Sequence, residues 1–210
     1  MVQTNEEMVK KLLKEKIIKK EETEKAFLEI DRSNFIPENK KEYSYIDKPI
    51  PIGKSQTISA PHMVAIMIEN LEIENNSKIM EIGTGSGYQA AIMAKIAEKG
   101  EVHSIEINKE LFRMLKEKLN QYRNIKIYKG DGSKGIPEKA PFDRIVSTCG
   151  IPRVPKTWKN QLKEKGIIIA PLGSKFHQRL MKYRKINGEI KEKDLNLPCA
   201  FVPMIGEHGF

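Results

Sequence analysis

Glu81-Ile82-Gly83-Thr84-Gly85-Ser86-Gly87-Tyr88-Gln89 is the stretch that decides the fold. It follows the apolar run Lys78 to Ile82 and leads into a helical pattern from Gln89 to Ala97, so a glycine-rich turn joins a strand to a helix. Such a turn at the carboxyl end of a first strand lets a ligand approach the backbone, and open α/β sheets bind ligands along that edge. The glycines are spaced G-x-G-x-G. A dinucleotide fold spaces them G-x-G-x-x-G, and a phosphate loop ends in Gly-Lys-Ser/Thr, so NAD and a tightly held triphosphate are both disfavoured. Taken alone, the glycines are explained equally well by a tight turn that binds nothing.

Downstream, short apolar runs alternate with amphipathic stretches. Strands are expected at Glu101 to Glu106, Ile125 to Lys129, Asp143 to Thr148 and Gly166 to Pro171, with a helix from Lys109 to Gln121. Repeated strand, helix, strand units impose parallel pairing, so the fold class is α/β: a doubly wound, mostly parallel sheet with helices on both faces. Arg179 to Ile186 and Ala200 to Pro203 read as closing strands that include an antiparallel pair. Upstream, apolar residues from Asn5 to Ile30 recur at helical spacing with a break near Lys19, predicting two short helices. Phe35 to Thr57 holds Pro37, Pro49, Pro51 and Gly53 and reads as a long irregular segment, of the kind that often carries function. The 210 residues fit a single domain. It divides into a substrate-side segment (1–57), a cofactor-binding core (58–175) and closing strands (176–210).

Two acidic residues break the tie over the glycine turn. Glu106 closes the second strand of the core, where a carboxylate can accept from both hydroxyls of a ribose. Asp131, in Gly130-Asp131-Gly132 after the third strand, can accept from an adenine amino group while Gly132 clears space for the ring. Each has a bland explanation, a strand-end charge or an Asp-Gly turn. All three features fall at consecutive strand ends along one sheet edge, which favours an adenosine-containing ligand.

Composition sets the remaining bounds. Hydrophobic residues at 39% beside charged residues at 31% are enough to build a core under a charged surface. The net charge of +9 raises nucleic acid as a partner, but Lys10/Lys11 and Lys19/Lys20 alternate with Glu6/Glu7 and Glu21/Glu22, as on a solvated mixed face. No specific nucleic acid is expected. Cys149 and Cys199 are too few for a disulfide framework, and four scattered histidines show no metal-ligand spacing, so no metal is expected. Without a signal peptide or membrane span, the reading is a cytoplasmic protein, taken as a monomer.

Gln56-Thr57-Ile58-Ser59-Ala60-Pro61-His62-Met63 precedes the apolar helix Val64 to Leu71. Ser59 is expected to cap that helix, since its oxygen can accept from the first amides and Pro61 suits the first turn. The same helix N-terminus favours an anion, so hydroxyls and free N–H groups from Thr57 to His62 form a candidate carboxylate site. This segment, the Glu81 to Gln89 stretch and Ala200-Phe201-Val202-Pro203 resemble the protein-L-isoaspartate O-methyltransferases, a family of class I S-adenosylmethionine methyltransferases, over about Ala26 to Phe210. Ser147-Thr148-Cys149-Gly150 departs from the small residues often found there in the family, and Asp31 stands where a proline is common.

The resemblance implies methyl esterification of the free α-carboxylate of L-isoaspartyl residues in damaged proteins and peptides, with repair proceeding through a succinimide. S-adenosyl-L-methionine is the implied cofactor and S-adenosyl-L-homocysteine the product. The implied catalytic residue is Ser59; Thr57, Ile58, Ala60, His62 and Val202 line the peptide site. Glu81, Ile82, Gly83, Thr84, Gly85, Ser86, Gly87, Gln89, Glu106, Ile107, Asp131 and Gly132 hold the cofactor. A carboxylate is already ionised at neutral pH, so its methylation needs orientation and desolvation but no strong base. The alternative is an RNA methyltransferase of the same fold, suggested by the charge and by Thr148-Cys149. Against it, the chain has neither an Asp-x-Pro-Cys motif nor an Asn/Asp-Pro-Pro-Tyr/Phe motif.

Overall fold

The computed structural model describes residues 2–210, so only the first residue of the expected domain lies outside it. The N-terminal periodicity forms helices α1 (Asn5–Lys14) and α2 (Glu21–Glu29). Thr4 caps α1 by accepting from the Glu7 amide, and Met8, Val9 and Leu12 bury its inner face. Phe27 of α2 meets the Tyr88 ring edge-on at 6.1 Å.

The stretch from Phe35 to Thr57, expected to be irregular, is more ordered than its prolines suggest. After two 3-10 turns (Arg32–Phe35 and Glu38–Tyr43) comes an antiparallel hairpin of β1 (Ile50–Gly53) and β2 (Gln56–Ile58). Pro51 is tolerated because the hairpin has only two strands, and a proline on an edge removes no needed ladder bond. Its turn puts Lys54 and Ser55 at φ +53° and +57°, a conformation usually signalled by Asn-Gly and absent from the local sequence pattern.

Helix α3 (Pro61–Leu71) leads into the parallel core: β3 (Lys78–Ile82), α4 (Tyr88–Ile96), β4 (Glu101–Glu106), α5 (Lys109–Leu119), β5 (Ile125–Lys129) and β6 (Phe142–Ser147). A short helix α6 (Lys156–Gln161), not expected from the sequence, precedes β7 (Leu162–Gly173), β8 (Gln178–Ile186) and β9 (Glu189–Cys199). The sheet order is β5-β4-β3-β6-β7-β8-β9, parallel from β5 to β7 and antiparallel across β7-β8-β9. Strand β9 escapes a reading by pattern because it is an edge strand rich in Lys and Glu. Ala200 to Pro203, expected as a strand, runs as an extended segment joined to Gly150 by a single bridge at Pro203.

Strand alternation divides the interior into two cores. Ile167 and Ile169 of β7 join the helices α1 to α5 in one, while Ile168 and Ala170 join Trp158 of α6 in the other. The chain steps from β3 outward to β5 and then returns to the far side of β3 as β6. This reversal opens a crevice at the carboxyl ends of β3, β4 and β6, the topological switch point where such sheets take ligands.

Candidate active site

The turn after β3 requires its glycines. Gly83, Gly85 and Gly87 sit at φ +89°, +56° and +84°. A Cβ on Gly83 would lie 2.5 Å from Thr148 Oγ1 and 2.7 Å from Cys149 Sγ, so β6 can close on the turn only when residue 83 is glycine. The Thr148 hydroxyl donates to the carbonyls of Gly83 and Ile82. Gly83 and Thr84 donate to the Ile105 carbonyl, which binds the turn to β4.

Beneath the turn lies an acidic group that water does not reach. Glu81 is fully buried; its Oε2 accepts from Ser104 Oγ at 2.5 Å, and Ser104 is also within 2.6 Å of Thr84 Oγ1. Its Oε1 has no partner among the described residues. Burial pushes Glu81 up to about 8, the negative charge of Glu106 adds to the rise, and the Ser104 hydrogen bond offsets part of it. Glu81 is therefore largely protonated at neutral pH.

Glu106 ends β4 and is buried at the cavity wall. Oε2 accepts from the Gly85 amide at 3.1 Å and Oε1 from the Asn108 amide at 2.9 Å, leaving each oxygen further acceptor capacity. Asn108 then caps α5 through the amides of Glu110 and Leu111. Past β5, Asp131 accepts from Ser133 N through Oδ1 and from Glu207 N through Oδ2, which straps the C-terminal segment over this loop. Gly132 lies so close to Ile82 that a Cβ would come within 2.5 Å of Cγ2, and the Trp158 indole donates to its carbonyl.

The opposite wall is β2 and the start of α3. The expected cap at Ser59 is not formed: Ala60 is the N-cap residue and makes no side-chain capping bond. Pro61 dictates this, since its fixed φ opens the helix and leaves Ser59 one residue upstream. The Ser59 hydroxyl has no hydrogen-bond partner among the described residues, and the amide of His62 is satisfied by Asp47 Oδ1 at 3.0 Å. The third wall is the extended segment after β9. Gln178 accepts from Phe201 N, and Gly150 exchanges bonds with the Val202 carbonyl and the Met204 amide.

These walls enclose a cavity of about 380 Å³. Thr57, Ile58, Ser59, Ala60, His62 and Val202 all line it, as do Ile82 to Ser86, Gln89, Glu106, Ile107 and Gly132. Glu81, Gly87 and Asp131 do not: the first lies under the floor, the second starts α4, and the third is turned to its backbone donors. Sequence reasoning missed Pro49 and Ile205 in the wall. It missed Asp47 as well, which carries no local motif and meets α3 only through the fold. A nucleoside ligand fits these surroundings: the cradle is glycine, Glu106 keeps free acceptor positions, and Gln89 Nε2 is buried in the wall without a partner among the described residues. Among the described residues no group of His, Cys, Asp and Glu is arranged to hold a metal ion, and no helix is long and apolar enough to cross a membrane.

Comparison with known proteins gives a consistent set of relatives. A family model described as protein-L-isoaspartate(D-aspartate) O-methyltransferase (PCMT) matches residues 3–209. The chain is 47% identical over 206 residues to a protein-L-isoaspartate O-methyltransferase of Methanococcus maripaludis, covering 97% of this chain and 96% of that one. It is 45% identical over 207 residues to the Pyrococcus horikoshii protein of the same name, covering 96% and 93%. Among solved structures, a Plasmodium falciparum beta-aspartate methyltransferase (PCMT) in complex with S-adenosyl-L-homocysteine superposes with a TM-score of 0.85 at 26% identity, covering 96% and 98% of the two chains.

Proposed function

The chain belongs to the protein-L-isoaspartate(D-aspartate) O-methyltransferase family, and from that premise we propose how its cavity divides the work. The reaction is S-adenosyl-L-methionine-dependent methyl esterification of the free α-carboxylate of L-isoaspartyl residues, the step that initiates repair through a succinimide. When bound, S-adenosyl-L-methionine supplies a sulfonium methyl group, whose bond to sulfur breaks as the carboxylate oxygen bonds to carbon, leaving S-adenosyl-L-homocysteine.

Glu106 accepts from the ribose hydroxyls with the lone pairs that Gly85 and Asn108 leave free. Ile107, 43% exposed at the cavity wall, offers an apolar face to one side of the adenine, and Gly132 clears room on the loop beyond. Asp131 shapes that loop from behind and can take the adenine amino group only with acceptor capacity its two backbone donors do not use. Glu81, buried and largely protonated, supports the turn from below through Ser104, while the turn from Gly83 to Ser86 backs the methionine end.

The carboxylate lies against Thr57 to His62, where Ser59 orients it through a neutral hydroxyl that no capping bond occupies. A neutral donor holds the nucleophile in line without the charge stabilisation an ammonium would impose. No proton has to be removed, so catalysis rests on orientation and on exclusion of water. The Val202 carbonyl is already bonded to Gly150 and the Phe201 amide to Gln178, so peptide pairing on that side falls to the remaining main-chain groups of Ala200 to Val202.

The observation that carries this reading is that one cavity is lined by Ser59 on one side and by Gly83 to Ser86 with Glu106 on the other. An RNA-methylating role through Cys149 is disfavoured, since the chain has no Asp-x-Pro-Cys motif and the part-buried thiol at the cavity wall is pushed up in pKa by desolvation rather than towards a reactive thiolate. A cytoplasmic setting is part of the proposal, supported by Cys149 and Cys199 being free thiols among the described residues, as suits a reducing compartment; the protein is proposed to act as a monomer. The test compares labelled methyl transfer to an isoaspartyl peptide, its aspartyl twin and bulk tRNA. Transfer confined to the isoaspartyl peptide is expected; transfer to tRNA alone would overturn the reading.

A further inference from the structure

The N-terminus of α3 is closed from outside the helix. Asp47 Oδ1 accepts from the His62 amide at 3.0 Å and lies 2.8 Å from His62 Nδ1. The loop that carries Asp47 is itself held. Arg32, fully buried, donates from Nε to the Ser44 carbonyl at 2.9 Å and reaches the Lys48 carbonyl with Nη2, while its guanidinium sits 5.3 Å from the centre of the Tyr88 ring at the start of α4. A continuous chain of contacts thus runs from the end of the glycine turn, through Arg32 and Asp47, to a side chain in the substrate wall.

An imidazole has two ring nitrogens, and the hydrogen bond made by one fixes the role of the other. A carboxylate can only accept, so its partner in the neutral ring must be Nδ1–H. Nε2 then carries a lone pair. The wall from Thr57 to Ser59 offers hydroxyl donors suited to a carboxylate, but a peptide entering the cavity also brings main-chain N–H groups that need acceptors once water is excluded.

Resting on the reading that this wall receives an isoaspartyl peptide, we propose that Asp47 is a positioning residue that holds His62 as its Nδ1–H tautomer. Nε2 is thereby presented as an acceptor for a substrate main-chain N–H. The arrangement also keeps an extra donor away from the carboxylate, whose nucleophilicity a further hydrogen bond would reduce. Without Asp47 the ring is free to carry its proton on Nε2 and offers a donor where an acceptor is needed.

The imidazole nitrogens of the full-length protein, labelled with nitrogen-15, report the tautomer directly at about pH 8.5, above the ordinary imidazole range. Protonated Nδ1 is expected in the wild type and in Asp47→Asn, which keeps an acceptor oxygen, and protonated Nε2 in Asp47→Ala. Asp47→Ala should raise the KM for an isoaspartyl peptide roughly tenfold, as for loss of one hydrogen bond, with S-adenosyl-L-homocysteine affinity unchanged. His62→Phe should raise KM similarly, and the double variant no further, because Asp47 acts through His62. A wild-type proton on Nε2, additive losses in the double variant, or equal loss of peptide and S-adenosyl-L-homocysteine binding would each overturn the proposal. The tautomer is read without substrate, so absence of isoaspartyl methylation would sink the functional reading and leave this measurement to stand alone.

Discussion

The Gly85 amide donates to Glu106 Oε2 at 3.1 Å, joining the turn after β3 to the end of β4. One carboxylate therefore shapes the glycine cradle and supplies acceptors to it. Glu106→Ala removes both and should weaken S-adenosyl-L-homocysteine binding by about tenfold or more, the scale of one or two hydrogen bonds to a charged group. Glu106→Gln keeps one acceptor oxygen and should fall between. Calorimetric titration of the three proteins checks this, and undiminished binding by Glu106→Ala would remove the residue from the ribose site.

The glycines of the turn separate two causes of failure. Gly83 has positive φ and no room for a Cβ beside Thr148 and Cys149, so Gly83→Ala should destabilise the fold by roughly 1–3 kcal/mol. Gly85 lies at φ +56° with its nearest neighbour, the Gly83 carbonyl oxygen, 4.0 Å from a built Cβ. Gly85→Ala should cost only about 1–2 kcal/mol for the left-handed backbone and yet lose cofactor affinity, because the methyl occupies the cradle. Denaturant melts paired with ligand titration resolve the two; identical profiles would mean the turn is structural throughout.

The parallel core was readable because each of its strands is a short apolar run followed by a turn and a helical period, and β3, β4 and β5 match the expected spans residue for residue. Where the reading failed, tertiary context overrode local pattern. β9 is charged because it is an edge, the β1-β2 hairpin turns on non-glycine residues, and Ser59 lost the cap to Pro61 geometry. Within the site, Thr57 to His62 and Glu106 could be seen in the chain because a motif or a strand end marks them. Asp47 could not: it gains its role only when the loop between the second 3-10 turn and β1 folds back onto α3, and nothing local announces a partner that close in space.

Glu81 makes stability depend on pH in an unusual direction for a carboxylate. Its folded value of about 8 exceeds the ordinary carboxyl value of 4.5, so the native state holds a proton that the unfolded chain gives up. Its contribution is fully present below about pH 4.5 and is lost as pH rises towards 8. Glu81→Gln, neutral throughout, should flatten this decline and raise the melting temperature relative to wild type at pH 8. Parallel pH slopes for the two proteins would show that Glu81 is ionised in the native state at neutral pH.

Ser59 distinguishes a catalytic from a capping hydroxyl. A genuine N-cap serine replaced by alanine costs about 1 kcal/mol. Here Ala60 occupies the cap, Asp47 satisfies the His62 amide, and Ser59 Oγ makes no bond among the described residues. Ser59→Ala should therefore leave stability within about 0.5 kcal/mol, as for a substitution away from any structural bond. Methyl transfer to an isoaspartyl peptide should fall roughly tenfold to a hundredfold as the carboxylate loses its orienting donor, with S-adenosyl-L-homocysteine affinity preserved. Ser59→Thr keeps a hydroxyl and should recover part of the rate. Unfolding comparable to loss of a cap, or a parallel fall in cofactor binding, would return Ser59 to a purely structural role.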